Sequence, residues 1–358
     1  MAAAPLKMFA AVVALLVAAC DGAPREVPQP LPDLGAAIDQ TSVSGISSGA
    51  YMAGQFEFAH AKIVKGAAII AGGPYGCSES IFAGAMPAPG AAWLNLSKAV
   101  NGCMLDMLGA WGVANPDDLA EKAKRRAQDG EIDSIGDVAS DKVYLFSGQE
   151  DRTVAPSIVK AAAEFYAKLG VQPDNIKLVT TYPAGHAFVT ESEGGACELS
   201  QKPYVVHCGY DQAGDLLAHI YGPLAPRSAT PDGDLLIFDQ KAFKPADEVD
   251  GLADRGALYV PRQCRASAGC RIHVAFHGCA QNRETVGDAF ITESGFSRWA
   301  DTNKLIVLFP QVATTPLNPQ GCWDWWGYTG RDYLTRKAPQ ITAVMEMLQR
   351  LSGAAPRS

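Results

Sequence analysis

From residue 41 onward, short apolar runs alternate with longer helical segments, and few folds are open to such a chain. The runs "KGAAIIAGG", "DKVYLFSG", "NIKLVTTY" and "LIVLFPQ" read as strands buried on both faces. Between them "AYMAGQFEFAHAK", "NPDDLAEKAKRRAQDG", "APSIVKAAAEFYAKLG" and "FSRWADTNK" read as helices. The second carries full punctuation, with Asn115 as cap, Pro116 in the first turn and Gly130 as stop. "GALYVPRQC" and "RIHVAFHG" add two strands around a short Cys-bounded loop, and "RDYLTRKAPQITAVMEMLQRL" closes the chain as a mostly helical segment. The rhythm predicts a mostly parallel sheet with helices on both faces. Residues 190–255 are less regular, with two cysteines, a helix near "AGDLLAHIYG" and a loop-rich remainder. Without internal repeats or low-complexity linkers, residues 41–358 are expected to form one domain behind a Pro-rich leader at 21–40.

Charge narrows the partners. The formal net charge is −8 and no Lys/Arg run occurs, which argues against nucleic acid and against a polybasic membrane anchor. None of the six histidines sits in a metal-ligand spacing such as HExxH, so no metal and no cofactor is expected, and the protein is expected to be a monomer. Residues 1–20 have the pattern of a signal peptide: one positive charge, an apolar stretch, then small residues leading to Cys20. "VAAC" resembles a bacterial lipoprotein box, which would make Cys20 a lipid anchor; a simple soluble export signal is the alternative. Either way the protein is expected outside the cytoplasm, periplasmic or extracellular.

Eight further cysteines in an exported chain favour disulfides over free thiols. Proximity suggests Cys264–Cys270 and Cys197–Cys208 as short clips, leaving Cys77, Cys103, Cys279 and Cys322 for Cys77–Cys103 and Cys279–Cys322. Eight cysteines permit 105 connectivities, so sequence alone fixes none of them.

The chemistry starts at Gly45-Ile46-Ser47-Ser48-Gly49, a G-x-S-x-G pattern with a strand before it and a helix after it. Such a turn lifts its middle hydroxyl clear of the backbone, which makes Ser47 the candidate nucleophile and Ser48 its rival. A serine needs a base, and His186 in "AGHAF" lies on a loop just after a predicted strand. His60 is expected at the surface at a helix end, His207 and His219 in the irregular region, and His273 within a strand. The base in turn needs a carboxylate. Asp151 in "GQEDRTV" follows the strand "KVYLF", with Glu150 as competitor.

Two N–H donors complete such a site. One would be the backbone N–H of Ser48. The other would be that of Cys279, after the strand "VAFHG". In an ordinary α/β-hydrolase this strand precedes the nucleophile, whereas here it follows far downstream. Joining the chain's ends restores the usual order, so the sequence reads as a circular permutant of the α/β-hydrolase fold.

"SGISSGAYMA", "GxxDxxV", "AGH", "HVAFHGCAQ" and "GCWDWWGY" together resemble the poly(3-hydroxybutyrate) depolymerases of the single-domain, circularly permuted type. The resemblance covers roughly residues 41–350 and implies a serine esterase that cleaves a polyhydroxybutyrate-type polyester or its oligomers. It implies Ser47, Asp151 and His186 as the triad, Ser48 and Cys279 as oxyanion hole, and Trp323 in the lining of the substrate cleft. Trp325 and Trp326 are expected to pack in the core. Many extracellular members carry a separate polymer-binding domain; none is read here, so adsorption would fall to apolar residues on the catalytic domain. A feruloyl, acetyl or other carboxylic esterase is the alternative enzyme, and a non-catalytic polymer-binding lipoprotein the alternative from another class.

Overall fold

The structure is a computed structural model that describes residues 27–82, 85–109, 114–245 and 249–354. In chain order its strands are β1 (Thr41–Ile46), β2 (Val64–Ile70), β3 (Lys142–Phe146), β4 (Ile176–Val179), β5 (Phe188–Thr190), β6 (Gly195–Ala196) and β7 (Val205–His207). They continue with β8 (Asp234–Asp239), β9 (Arg255–Val260), β10 (Arg271–Phe276) and β11 (Leu305–Phe309). Eight of them form one sheet in the order β4-β3-β2-β1-β10-β11-β9-β8. Only β9 runs against its neighbours. The sheet is therefore mostly parallel, as the rhythm of the sequence implies, and its central strands are buried on both faces.

Of the two central strands, β1 and β10, the first is also rich in polar residues. Thr41, Ser42 and Ser44 are all buried. The neighbouring strand satisfies two of them: the His273 ring, on β10, holds the Ser42 hydroxyl at one nitrogen (2.7 Å) and the Ser44 hydroxyl at the other (2.8 Å). Burial pushes His273 down to about 3, so it packs as a neutral linker between strands.

Helices Ser48–Ala59, Pro116–Gln128, Pro156–Lys168 and Pro339–Ser352 gather in one group, and Gln212–Tyr221 and Phe296–Asn303 in another, covering the sheet's two faces. Asn115 caps its helix as expected, accepting from the N–H groups of Asp117 and Asp118, and Gly130 follows it at positive φ. The terminal helix is shorter than its sequence suggests, because Pro339 starts it and the residues before form turns.

Three expectations change. The region 190–255 is better ordered than it reads: β5, β7 and β6 form a small parallel sheet, and β8, which was not foreseen, closes one edge of the large one. The segment between β9 and β10 holds a short helix, Arg262–Ala266, and the two strands are not adjacent, since β11 lies between them. Finally, the described part of the leader is built into the body. Gln29 exchanges backbone bonds with β8, Leu31 is buried, and the N–H groups of Leu34 and Ala36 donate to the Leu351 carbonyl (3.0 and 3.1 Å). The two ends of the described chain thus meet on one helix.

The expectations for the signal peptide and Cys20 lie outside the described residues. All four suggested disulfides are present: Cys77–Cys103, Cys197–Cys208, Cys264–Cys270 and Cys279–Cys322.

Candidate active site

The turn after β1 is a tight one. Ser47 has φ 57° and ψ −122°, a conformation that costs an L-residue on the order of 1–3 kcal/mol and persists only when its surroundings hold it. Both flanking glycines are required by contact rather than by conformation. A Cβ on Gly45 would lie 2.0 Å from the Gly49 carbonyl oxygen, and one on Gly49 would lie 2.3 Å from that of Phe276. The Ser47 N–H donates to the Ile70 carbonyl (3.0 Å), which fixes the turn to β2. The Ser47 side chain opens onto a cavity of about 160 Å³ also lined by Met104, Thr153, His186, Tyr204 and Cys279.

His186 reaches that cavity from the loop after β4. Its Nδ1 is 2.8 Å from Asp151 Oδ2, leaving Nε2 as the free ring nitrogen. The other carboxylate oxygen of Asp151 accepts from the N–H groups of Thr153 (2.8 Å) and Val154 (2.9 Å), so the acid is aimed by its own loop. Backbone bonds tie the acid and base loops together, Gln149 to Tyr182 and Glu150 to Ala184. Gly185 is needed here, since a Cβ would sit 2.5 Å from the carbonyl oxygens of Glu198 and Leu199. Ser200 adds a hydroxyl to the His186 N–H (2.7 Å). Glu150 is exposed and pairs with Arg152, away from the imidazole.

Facing this pair stands the loop after β10. Gly278, Cys279, Ala280 and Gln281 all line the cavity. The Gly278 N–H goes to Gln281 Oε1 (2.7 Å) and the Ala280 N–H to the Gln320 carbonyl (2.6 Å). Gln281 Nε2 donates to the Pro203 and Tyr204 carbonyls, which fastens the loop to the wall opposite. Among the described hydrogen bonds, neither the Cys279 N–H nor the Ser48 N–H is spent.

The other histidines stand elsewhere. His207 is exposed, and His219 bonds the Asn175 carbonyl. His60 ends its helix but is half-buried against Phe56 rather than at the surface, and burial pushes it down to about 4. His277 and Gln281, inside the motif "HVAFHGCAQ", are the residues to which sequence reasoning assigned no part.

Trp323 departs from expectation. Its side chain is fully buried against Phe276 and His277 and does not line the cavity. The cause is Asp324, whose carboxylate accepts N–H bonds from Trp326, Gly327, Tyr328 and Thr329 and so curls the segment inward. The Trp323 N–H instead reaches the Ser48 hydroxyl (3.3 Å), behind the turn. Trp325 and Trp326 are buried, as expected, though Trp326 also touches an outer cavity.

No known protein-family model matches the chain. Over 327 residues it is 36% identical to the poly(3-hydroxybutyrate) depolymerase of Delftia acidovorans, covering 90% of this chain and 61% of that one. Over 365 residues it is 33% identical to the polyhydroxybutyrate depolymerase of Talaromyces funiculosus, covering 96% of this chain and 98% of that one. Two solved structures superpose with a TM-score of 0.77 at 30% identity, covering 91% of this chain and 99% of theirs. One is a PHB depolymerase from Penicillium funiculosum, and the other a serine-to-alanine PHB depolymerase complexed with an R3HB trimer. The chain spans about three fifths of the length of the Delftia relative and nearly all of the Talaromyces one.

Proposed function

The chain belongs to the polyhydroxybutyrate depolymerase family, and from that premise we propose that it hydrolyses a polyhydroxybutyrate-type polyester or its oligomers through an acyl-enzyme on Ser47. The observation that carries this reading is the His186–Asp151 pair, held at 2.8 Å, with His186 lining the same cavity as Ser47. In the proposed reaction His186 Nε2 takes the Ser47 proton as Oγ attacks the ester carbonyl, and Asp151 steadies the imidazolium. The N–H groups of Ser48 and Cys279 take the oxyanion. Collapse expels the alcohol end of the polymer, protonated by His186, and water then releases the acid by the same steps.

A cavity of about 160 Å³ suits a short acyl unit better than a bulky one. Outside it, exposed Trp93, Leu96, Val249 and Leu317 with Trp326 line a larger, mainly apolar cavity of about 540 Å³, a surface on which the catalytic domain would meet polymer. The fold order fits circular permutation: β10, the proposed oxyanion strand, pairs with β1 although it follows late in the chain, and Leu34 and Ala36, shortly before β1, both bond the Leu351 carbonyl of the last described helix. Four disulfides suit an oxidising compartment. Export through residues 1–20, either as a lipoprotein anchored at Cys20 or as a soluble protein, and a monomeric state complete the proposal.

Ser47→Ala tests it. Turnover of hydroxybutyrate oligomers and of p-nitrophenyl butyrate should fall by several orders of magnitude, while Ser48→Ala keeps a substantial part. Full activity in Ser47→Ala would sink the reading.

A further inference from the structure

A backbone donor has no side chain to aim it, so something else must set the direction of the Cys279 N–H. That N–H belongs to the peptide between Gly278 and Cys279. In a trans peptide the C=O and N–H point opposite ways, so whatever holds the Gly278 oxygen also points the Cys279 N–H. The Gly278 oxygen is held by the His277 ring, whose Nδ1 stands 2.8 Å away. The ring's other nitrogen leaves no choice of tautomer: the Val312 N–H can only donate, and it meets Nε2 at 3.2 Å. Nε2 is therefore the acceptor and Nδ1 the donor. The ring is fully buried and held from behind by Trp323, at 5.6 Å between centroids. The second donor to the same oxygen, the Gln281 N–H, is longer at 3.3 Å.

We propose that His277 is the positioning residue of the oxyanion hole, a fixed strut that turns the Gly278–Cys279 peptide so that its N–H faces the cavity. The inference rests on the acyl-enzyme reading above, in which Cys279 supplies the second donor. His277 touches no reacting atom and moves no proton. Its neighbours complete the frame: Gln281 fixes the peptide before and Gln320 the one after, and one N–H remains pointing inward.

Two variants separate aiming from mere packing, because each keeps a different one of the two bonds. Asn at this position carries an amide N–H about where Nδ1 stands and loses Val312. Gln carries its amide out to where Nε2 stands, keeps Val312 and loses Gly278. The measurements are kcat and KM on p-nitrophenyl butyrate, inhibition by phenylboronic acid, whose tetrahedral adduct on Ser47 places an oxygen in the hole, and the thermal midpoint.

His277→Gln should lower kcat roughly 10- to 100-fold, below the full loss of a hole donor, and weaken the boronate by a similar factor. Its KM should stay within about threefold of wild type. His277→Asn should retain most of kcat even though its thermal midpoint falls. Wild-type kcat in His277→Gln overturns the inference, and so does a folded His277→Asn that loses as much as His277→Gln; either result suffices if only one variant folds. A fully active Ser47→Ala brings down the acyl-enzyme reading itself. An inactive Ser47→Ala beside indifferent His277 variants brings down this inference alone.

Discussion

The site has two walls, and they are built by different means. The acid–base wall comes from neighbouring loops: Asp151 and His186 are 35 residues apart, and the loops that carry them are laced by backbone bonds. On the proposed reading its working groups are side chains, a carboxylate and an imidazole. The oxyanion wall pairs β1 with a strand that arrives late, as in the Ser42–His273 bond across 231 residues. On the same reading its working group is a peptide N–H, framed by His277, Gln281, Gln320 and the Cys279–Cys322 bridge. One wall should therefore fail through its actors, the other through its supports.

The largest effect expected on the first wall is that of Asp151→Asn. The shape is kept, but the amide presents an N–H to Nδ1 or leaves the tautomer unfixed, and kcat should drop about 10⁴-fold with little change in thermal midpoint. A loss below about tenfold would mean that Asp151 does not orient His186, and the contrast between the walls would blur.

The disulfides sharpen the contrast at a smaller scale. Cys279–Cys322 spans 43 residues and braces the oxyanion loop, whereas Cys197–Cys208 spans 11 and lies beside the base loop, where the Gly185 N–H meets the Cys197 carbonyl. By loop entropy alone, replacing each pair with alanines should cost about 4 and about 3 kcal/mol respectively. Only the first should also lower kcat once the variants are compared below their midpoints. Equal kcat losses from the two pairs, measured on folded protein, would count against the division.

The smallest effect is a difference in what pH each side tolerates. Glu57 and Asp141 are buried neighbours, and the Tyr166 hydroxyl donates to Glu57. Glu57 Oε1 and Asp141 Oδ2 are buried without a hydrogen-bond partner, which favours the protonated, neutral form of both carboxyls. Burial raises both above their values in the unfolded chain, and the Glu57 charge raises Asp141 further, so the unfolded chain gives up protons first as pH rises. Their contribution is complete in acid and is lost as pH climbs through their raised folded values. On β10 the sign reverses. Burial lowers His273 to about 3, and His277 in the loop that follows to about 4. Their contribution is present above the unfolded value of about 6.5 and is lost as pH falls toward those folded values. His60, at about 4, adds to this acid limb. Urea midpoints measured from pH 4 to 10 should fall at both ends, and Glu57→Gln should flatten the alkaline limb alone. An alkaline limb that keeps its slope in that variant would place its cause elsewhere.

These differences decide what could be read from the sequence. Side-chain chemistry, chain order and a preceding strand all mark Ser47, Asp151 and His186, and the structure brings His186 to Asp151 and to the cavity that Ser47 lines. The "VAFHG" strand could be singled out as well, and the structure seats it beside β1. The reach of His277 back to a neighbouring carbonyl could not, since a histidine beside glycine shows no pairing until the loop folds. Trp323 was misjudged for a related reason: an aromatic in a motif reads the same whether it faces a cleft or the core, and here the Asp324 turn decides. β8 hid because Asp234 and Asp239 bracket its apolar centre inside a stretch dense in proline and glycine, where the rhythm of the rest is lost.

The place of β1 also sets a timetable. A chain made from its N-terminus exposes the Ser47 turn early, while the strand that must lie against it is among the last to be made. Until then this central strand of the sheet has one bare edge, of the sort that invites pairing with other chains. Pairing across such a separation is slow, because the loop must close before the contact repays it. Assembly of the proposed site is therefore deferred until β10 arrives, and a nascent chain carries the Ser47 turn before the loop that must face it exists.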